Sequence, residues 1–288
     1  MKDEDAFTEI DLTKVEQVTW FDQHFYQFLN PDGTEEFFPS VTTILQVSPK
    51  PFLNRWRGDL GNEEADRIKN EGAERGSNIH FACEILKQGG AVVLMQGHKA
   101  RYSDAEIAEI KKKHNGLIAL IWDQFEYLQV YRYLQFLQEI KPIDIGSEET
   151  VFSLKHRFAG TLDDRYLLKT GTYNINGSKP IKLDEGMYIS DIKSSKTITD
   201  DNYNQLAAYW VAKEEMSGEQ IDGALLVHTN ATTKSGIEGL STKLITRPEM
   251  EEYFDQFLKL FAVWRIKPSP AHPKIFSMPN QLTWKVAS

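Results

Sequence analysis

The hydrophobic period of the chain changes near Pro142, and this change limits the fold more than any single motif does. From Asn62 to about Gln88, Ala65, Ile68, Ala73, Ile79, Ala82 and Ile85 supply an irregular helical face, which Gly89-Gly90 ends. A second helical stretch starts at the capping box Ser103-Asp104-Ala105-Glu106 and runs in one or two pieces to about Ile140. Beyond Pro142, "TVFSLKHRFAGTLDDRYLL" reads as two strands joined near Lys155-His156, and "MYISDIK" as a third. Asp201 to Met216 is an amphipathic helix, "IDGALLVHTN" and "GLSTKLIT" are further strands, and Pro248 opens a last helix to about Ile266. Helices followed by strands around one helix predict an α/β (α+β) fold. The pattern argues for α+β or mixed α/β and against a doubly wound parallel sheet.

The remaining segments complete a single domain over residues 1–288. Residues 1–61 form an entry: "FYQFLNPDGTEEFF" predicts a β-hairpin around Pro31-Asp32-Gly33, and Ser40 caps a short helix that Pro49 and Pro51 stop. Residues 62–140 are the helical segment, 146–266 the α/β core, and the proline-rich residues 267–288 an extended tail. The polar, glycine-containing stretch from Lys169 to Gly186 reads as a hairpin extension or loop. In "QVYRYLQFLQ", the aromatics Tyr131, Tyr133 and Phe136 read as core before they read as base-stacking platforms.

The strand "YISDIK" raises the chemical question. Asp191 and Lys193 stand two residues apart, so they share a face at roughly 6–7 Å between Cα atoms, with Ile192 on the other side. Burying both is costly unless they are paired, which points to a salt bridge, an exposed cleft or a metal site. Upstream lies "AGTLDD", where Gly160 permits a close backbone approach, Asp163 ends near the same sheet, and Asp164 faces away. Downstream, Gln205 and Tyr209 share one helix face.

The ordered series Gly160-x-x-Asp163, Asp191-x-Lys193 and Gln205-x-x-x-Tyr209 resembles the PD-(D/E)XK nuclease superfamily, in its RecB-type exonuclease branch. The segment "AERGSNIHFACE", with Arg75, Gly76 and His80, is similar to that branch's first motif. "FPSVTTIL" followed by Trp56 is similar to the entry of the mitochondrial genome maintenance exonuclease family and its phage-encoded relatives. The likeness spans about residues 38 to 210 and implies a restriction-endonuclease-like core, a mixed central β-sheet flanked by helices, with an N-terminal β-hairpin and a helical insertion.

By that resemblance Asp163, Asp191 and His80 are ligands for one or two Mg²⁺ or Mn²⁺ ions. Lys193 orients the attacking water and stabilises phosphate charge, with Asp163 and Asp191 as its catalytic partners. Gln205 and Tyr209 support the site or contact DNA, Arg75 contacts phosphate or pairs on the surface, and Glu149 is a further site acid. Glu84, one turn after His80, either orients it or faces solvent. Asp163 and Asp191 are 28 residues apart, so the Lys169–Gly186 insertion has to leave their strands in register.

The implied activity is metal-dependent DNA hydrolysis, by an exonuclease on single strands or ends, in replication, recombination or repair. A DNA-binding or assembly subunit without catalysis, and a restriction-type endonuclease, are the alternatives. Oxygen-rich ligands favour Mg²⁺ or Mn²⁺ over zinc. A net charge of −9 argues against broad attraction to nucleic acid and leaves a local basic groove open. No Gly-x-Ser-x-Gly elbow and no phosphate-binding Gly-x-x-x-x-Gly-Lys-Ser/Thr loop occurs, so helicase activity would belong to a replication or recombination partner. The acidic N-terminus, the lack of a long apolar run and the single cysteine, Cys83, lead to the expectation of a soluble cytoplasmic protein.

Overall fold

The computed structural model of the chain describes residues 15–21, 23–29, 35–96, 102–175, 179–233 and 237–266. The aromatic run near the N-terminus pairs as expected, β2 (Gln23–Leu29) antiparallel to β3 (Glu35–Pro39), with Phe28 opposite Glu36. A further strand, β1 (Glu16–Trp20), pairs with β2 and makes the entry a three-stranded sheet instead of a hairpin. The hairpin turn and the residue 267–288 tail lie outside the described residues.

Ser40 starts α1 (Val41–Leu45) by accepting a hydrogen bond from Thr43 N at 3.0 Å. Pro51, at the first turn of α2 (Pro51–Leu60), lacks an N–H where the helix needs none. The helix expected to end at Gly89-Gly90 is α3 (Asn62–Lys87).

The reading of residues 103–140 as helix alone needs correction. Between α4 (Asp104–Lys113) and α5 (Gln124–Ile140) lies β5 (Ile118–Ile121), parallel to β4 (Ala91–Leu94). A four-residue apolar run is too short for periodicity to separate strand from helix. The capping box at Ser103 and Glu106 does form.

The core comprises β6 (Asp144–Ser153), β7 (Phe158–Leu168), β10 (Gly186–Lys193), β11 (Gly223–His228) and β12 (Ser241–Thr246), which form one sheet in the order β12-β11-β10-β7-β6. Only β10 and β11 run parallel, joined through α6 (Asp200–Ser217), so the sheet is mixed. The insertion folds as its own antiparallel hairpin, β8 (Gly171–Tyr173) with β9 (Ile181–Leu183). Register survives it: Tyr188 stands opposite Tyr166.

Both sheet faces are covered. On one side Ile189 and Leu226 pack with Leu206 of α6 and Phe257 of α7 (Arg247–Ile266). On the other, Tyr188, Ile192 and Leu225 pack with Ile79 of α3 and Tyr133 of α5. Tyr133 and Phe136 are fully buried, as the core reading requires, while Tyr131 is 48% exposed. Among the described residues, no helix is long and apolar enough to cross a membrane.

Candidate metal centre at a fork in the sheet

The β7–β10 ladder holds from Gly186↔Leu168 to Ser190↔Asp164 and then stops. One step further, Asp163 puts its carboxylate where a backbone partner would be: its Oδ2 accepts from Ile192 N at 2.8 Å. The side chain satisfies an N–H that the parting strands would orphan, which holds the fork open at a defined width.

The neighbouring β6–β7 ladder is interrupted at the same level. Ser147 pairs with Asp164 and Glu149 with Leu162, which leaves Glu148 opposite Asp163 and outside the ladder. Glu148 has φ +50°, an uncommon conformation for a residue with a side chain. It also reverses the facing of β6. Ser147 donates to Glu84 of α3 at 3.0 Å, whereas Glu149, two residues on, accepts from Lys213 of α6 at 2.5 Å. On β7 the same switch occurs, with Asp164 meeting Lys87 of α3 and Gly160 meeting Tyr209 of α6.

Three donor groups gather at this irregularity. Ligand atoms of His80, Glu148 and Asp163 lie within 4.8 Å of one another, with His80 Nδ1 3.6 Å from Asp163 Oδ2. Partial burial of the Glu148 carboxyl, and next the charge of Asp163, raise its pKa above the ordinary glutamate value. An imidazole and two carboxylates, one of them held above its usual range by burial first and by its like-charged neighbour second, fit a hard divalent cation that would relieve the repulsion.

α3 delivers His80 along a polar stripe. Gly76 faces Ser194, which follows β10; a Cβ there would lie 3.6 Å from Ser194 Oγ. Glu84 binds Ser147 and Lys87, not His80, and Lys87 anchors the helix end on buried Asp164. Asp164 faces away from the fork and also accepts from Tyr133 (2.8 Å) and Tyr166 (2.6 Å).

Asp191 and Lys193 occupy the other prong. Lys193 Nζ lies 2.8 Å from Asp191 Oδ2 and donates to Oδ1 at 3.0 Å and to Gln205 Oε1 at 3.0 Å. Gln205 Nε2 in turn donates to Tyr209 OH at 3.0 Å. Gly160 makes room for that tyrosine, since a Cβ would come 2.3 Å from its ring. Asp191 is 1% exposed, and burial pushes its pKa up to about 6, with Lys193 opposing and Asp163 adding to the shift. Burial works against the Lys193 charge, but Asp191 and then Asp163 outweigh it and raise its pKa.

The sequence-derived site residues therefore divide. His80 and Asp163 fall in the three-donor group; Asp191 does not, and its carboxylate is paired with Lys193. Glu149 lies outside that group and bridges Arg165 (3.0 Å) and Lys213. Burial raises its pKa, but the Lys213 and Arg165 charges prevail and hold it below the ordinary value. Arg75 is exposed on α3, where its Nε donates weakly to Glu71 O at 3.4 Å.

Sequence reasoning took Glu149 and not its neighbour Glu148, since strict alternation gives no reason to prefer either. It also missed a clamp behind Lys193. Thr229 N donates to Lys193 O at 3.0 Å, Asn230 Nδ2 to Ser194 O at 3.2 Å, and Thr229 Oγ1 to Gln129 Oε1 at 2.9 Å. The readable signal was the polar "HTN" that ends an apolar strand. A scan against protein-family models finds no match for the chain, and a search of the curated proteins finds none either.

Proposed function

We propose that the chain is a Mg²⁺- or Mn²⁺-dependent deoxyribonuclease that hydrolyses phosphodiester bonds, as an exonuclease on single-stranded DNA or DNA ends in replication, recombination or repair. The observation that carries this reading is the fork: the break in the β-ladders leaves Glu148 and Asp163 on one prong, where His80 of α3 joins them, and the Asp191–Lys193 pair, held by Gln205 of α6, on the other. The resemblance of the Gly160–Asp163, Asp191–Lys193 and Gln205–Tyr209 motifs to PD-(D/E)XK nucleases adds the reaction class.

His80, Glu148 and Asp163 would hold the ion, with Asp191 behind them. When bound, the ion would supply Lewis-acid charge at a phosphate and a water that loses its proton more readily. Lys193 keeps its ammonium charged because Asp191 and Asp163 face it, and it offers that charge to the phosphate as negative charge builds in the transition state. Gln205 fixes where the ammonium points, and Tyr209 fixes Gln205.

A second reading, a DNA-binding or assembly subunit without catalysis, draws on one observation: Lys193 is already engaged by both Asp191 and Gln205. One experiment separates the two. Purified protein is incubated with linear and circular single-stranded DNA, with Mg²⁺ or Mn²⁺ and with chelator. Metal-dependent loss of the linear strand alone is the expected result. Cutting of the circle would make the enzyme an endonuclease, and no metal-dependent cleavage of any nucleic acid would leave the binding subunit.

A further inference from the structure

The parallel ladder between β10 and β11 ends at Lys193↔His228, and the bonds of a ladder hold its two chains together only as far as its last pair. Beyond that pair these chains stay joined by other means. Three successive carbonyls at the exit of β10 are taken up by the three residues that finish β11. Thr229 N donates to Lys193 O at 3.0 Å, Asn230 Nδ2 to Ser194 O at 3.2 Å, and His228 Nε2 to Ser195 O at 2.7 Å. On the other edge of β10, Ile192 N is bound to Asp163. The backbone is therefore tied both before and after the Cα of Lys193.

This grip is itself anchored, from α5. Thr229 is fully buried and Gln129 is 2% exposed, and Thr229 Oγ1 donates to Gln129 Oε1 at 2.9 Å. Arg132, three residues further along α5, donates to Thr229 O at 2.9 Å. An amide and a hydroxyl cost stability when buried unless each satisfies the other, and a leucine facing a valine would fill such a space without that cost. What the polar pair adds is direction, because a hydrogen bond fixes distance and angle where apolar contact leaves both loose.

Direction matters because of what β10 carries. The ammonium of Lys193 sits at the end of four methylenes, so it meets a phosphate only as accurately as its Cα is placed and its tip is held. Gln205 holds the tip. The clamp at Thr229 holds the base.

We propose that Thr229, seated on Gln129, is a positioning residue for Lys193, so that α5 sets the lysine half of the site while α3 sets the three-donor half through His80. The proposal rests on the nuclease reading and deepens it: the two halves are aligned by different helices and can be disturbed one at a time.

Thr229→Val tests it, since valine keeps the shape and the backbone N–H and removes the bond to Gln129. Single-turnover cleavage of linear single-stranded DNA with Mn²⁺ should slow about 10-fold, because misplacing a reacting group by about 1 Å can cost about 10²-fold. DNA affinity in chelator and calorimetric Mn²⁺ affinity should stay within about 2-fold of the parent, and Thr229→Ser, which keeps the hydroxyl, should cut within about 2-fold of the parental rate. The same change is then made in Lys193→Ala. Action through Lys193 means that Thr229→Val slows the parent and leaves Lys193→Ala no slower than before, whereas a loss of folded protein slows both by the same factor. If Thr229→Val does not fold, the half-buried Asn230→Ala is read by the same cycle. Cutting at the parental rate by the variant, or equal slowing in both backgrounds, overturns the positioning role and leaves the nuclease reading standing. A parent that cuts no nucleic acid overturns both.

Discussion

Asp163 and Asp164 are neighbours on one strand and live in opposite surroundings. Asp164 is fully buried and closed in by Lys87, Tyr133 and Tyr166. Burial raises its pKa while the Lys87 charge opposes this, so the pair is held inside the fold by mutual need. Asp163 is partly exposed, binds one backbone N–H and shares its surroundings with a second carboxylate, Glu148, and with His80. A carboxylate with its cation built in is structure. Carboxylates gathered without enough cation are a place for one to bind.

The strongest way to break this comparison is to exchange the consequences. Asp164→Asn leaves the Lys87 ammonium buried with only Glu84 to face it, and should cost about 3 kcal/mol of stability, the low end for a broken buried pair because Glu84 remains. Urea unfolding measures it. Asp163→Asn retains an oxygen for Ile192 N and removes a negative charge from a crowded group, so it should unfold within about 1 kcal/mol of the parent. Equal losses in the two variants would remove the distinction between the two aspartates.

Lys193 sharpens the same contrast for a cation that is present in the chain. If its charge acts on the phosphate in the transition state, Lys193→Ala should slow single-turnover cleavage about 10²-fold, close to 3 kcal/mol on the barrier, with DNA affinity nearly unchanged. If it only neutralises Asp191, the melting temperature falls and folded protein cuts at the parental rate. Lys87→Ala is the control. It should behave mainly in the second way, since the ion pairs of Lys87 are with Asp164 and Glu84 and it reaches the fork only through the backbone oxygen of Asp163.

Most of the architecture was legible because the chain obeys alternation and helix capping wherever it does nothing else. The strands of the core sheet and the α6 crossover follow from period and turn residues, and the insertion, which the sequence leaves open as a hairpin extension or a loop, is a hairpin. Legibility fails where the physics is not local. β4 and β5 are stabilised by each other and by the α3–α5 layer, and four apolar residues do not announce such a partner. At Glu148 a single positive φ reverses the facing of β6, and no residue preference in a Glu-Glu doublet signals it. Alternation therefore gives no guide to which of Glu148 and Glu149 faces the fork, at the position where β6 reverses. Asp191 was rightly paired with Lys193 on one face, but the ladder break that separates it from the three-donor group is a tertiary fact.

A calorimetric titration of Mn²⁺ turns that lesson into a smaller prediction. Glu148→Gln removes a donor from the three-residue group and should weaken Mn²⁺ binding about 10-fold. Glu149→Gln should leave it within about 2-fold, because that carboxylate is bound to Arg165 and Lys213. The reverse order would return Glu149 to the site.

The smallest effect is a difference in sign, and it needs no metal. Glu149 has its folded pKa depressed by Lys213 and Arg165, so its contribution to stability is fully present above the unfolded value, about 4.3, and is lost as pH falls through the folded value. Glu148 has its folded pKa raised by burial and Asp163. Its contribution is present below about pH 4.3 and is lost as pH rises through the folded value, where the carboxylate must ionise beside its neighbour. In chelator, Glu149→Gln should therefore flatten the loss of stability on the acid side of pH 4.3, and Glu148→Gln should recover stability on the neutral side. Saturating Mn²⁺ should erase the second difference, since a bound cation favours the ionised carboxylate, and leave the first in place. Melting temperatures of the three proteins between pH 3.5 and 7 decide the matter, with and without the ion. Two variants that shift in the same direction would mean that the adjacent glutamates share one environment, and that the fork does not divide them.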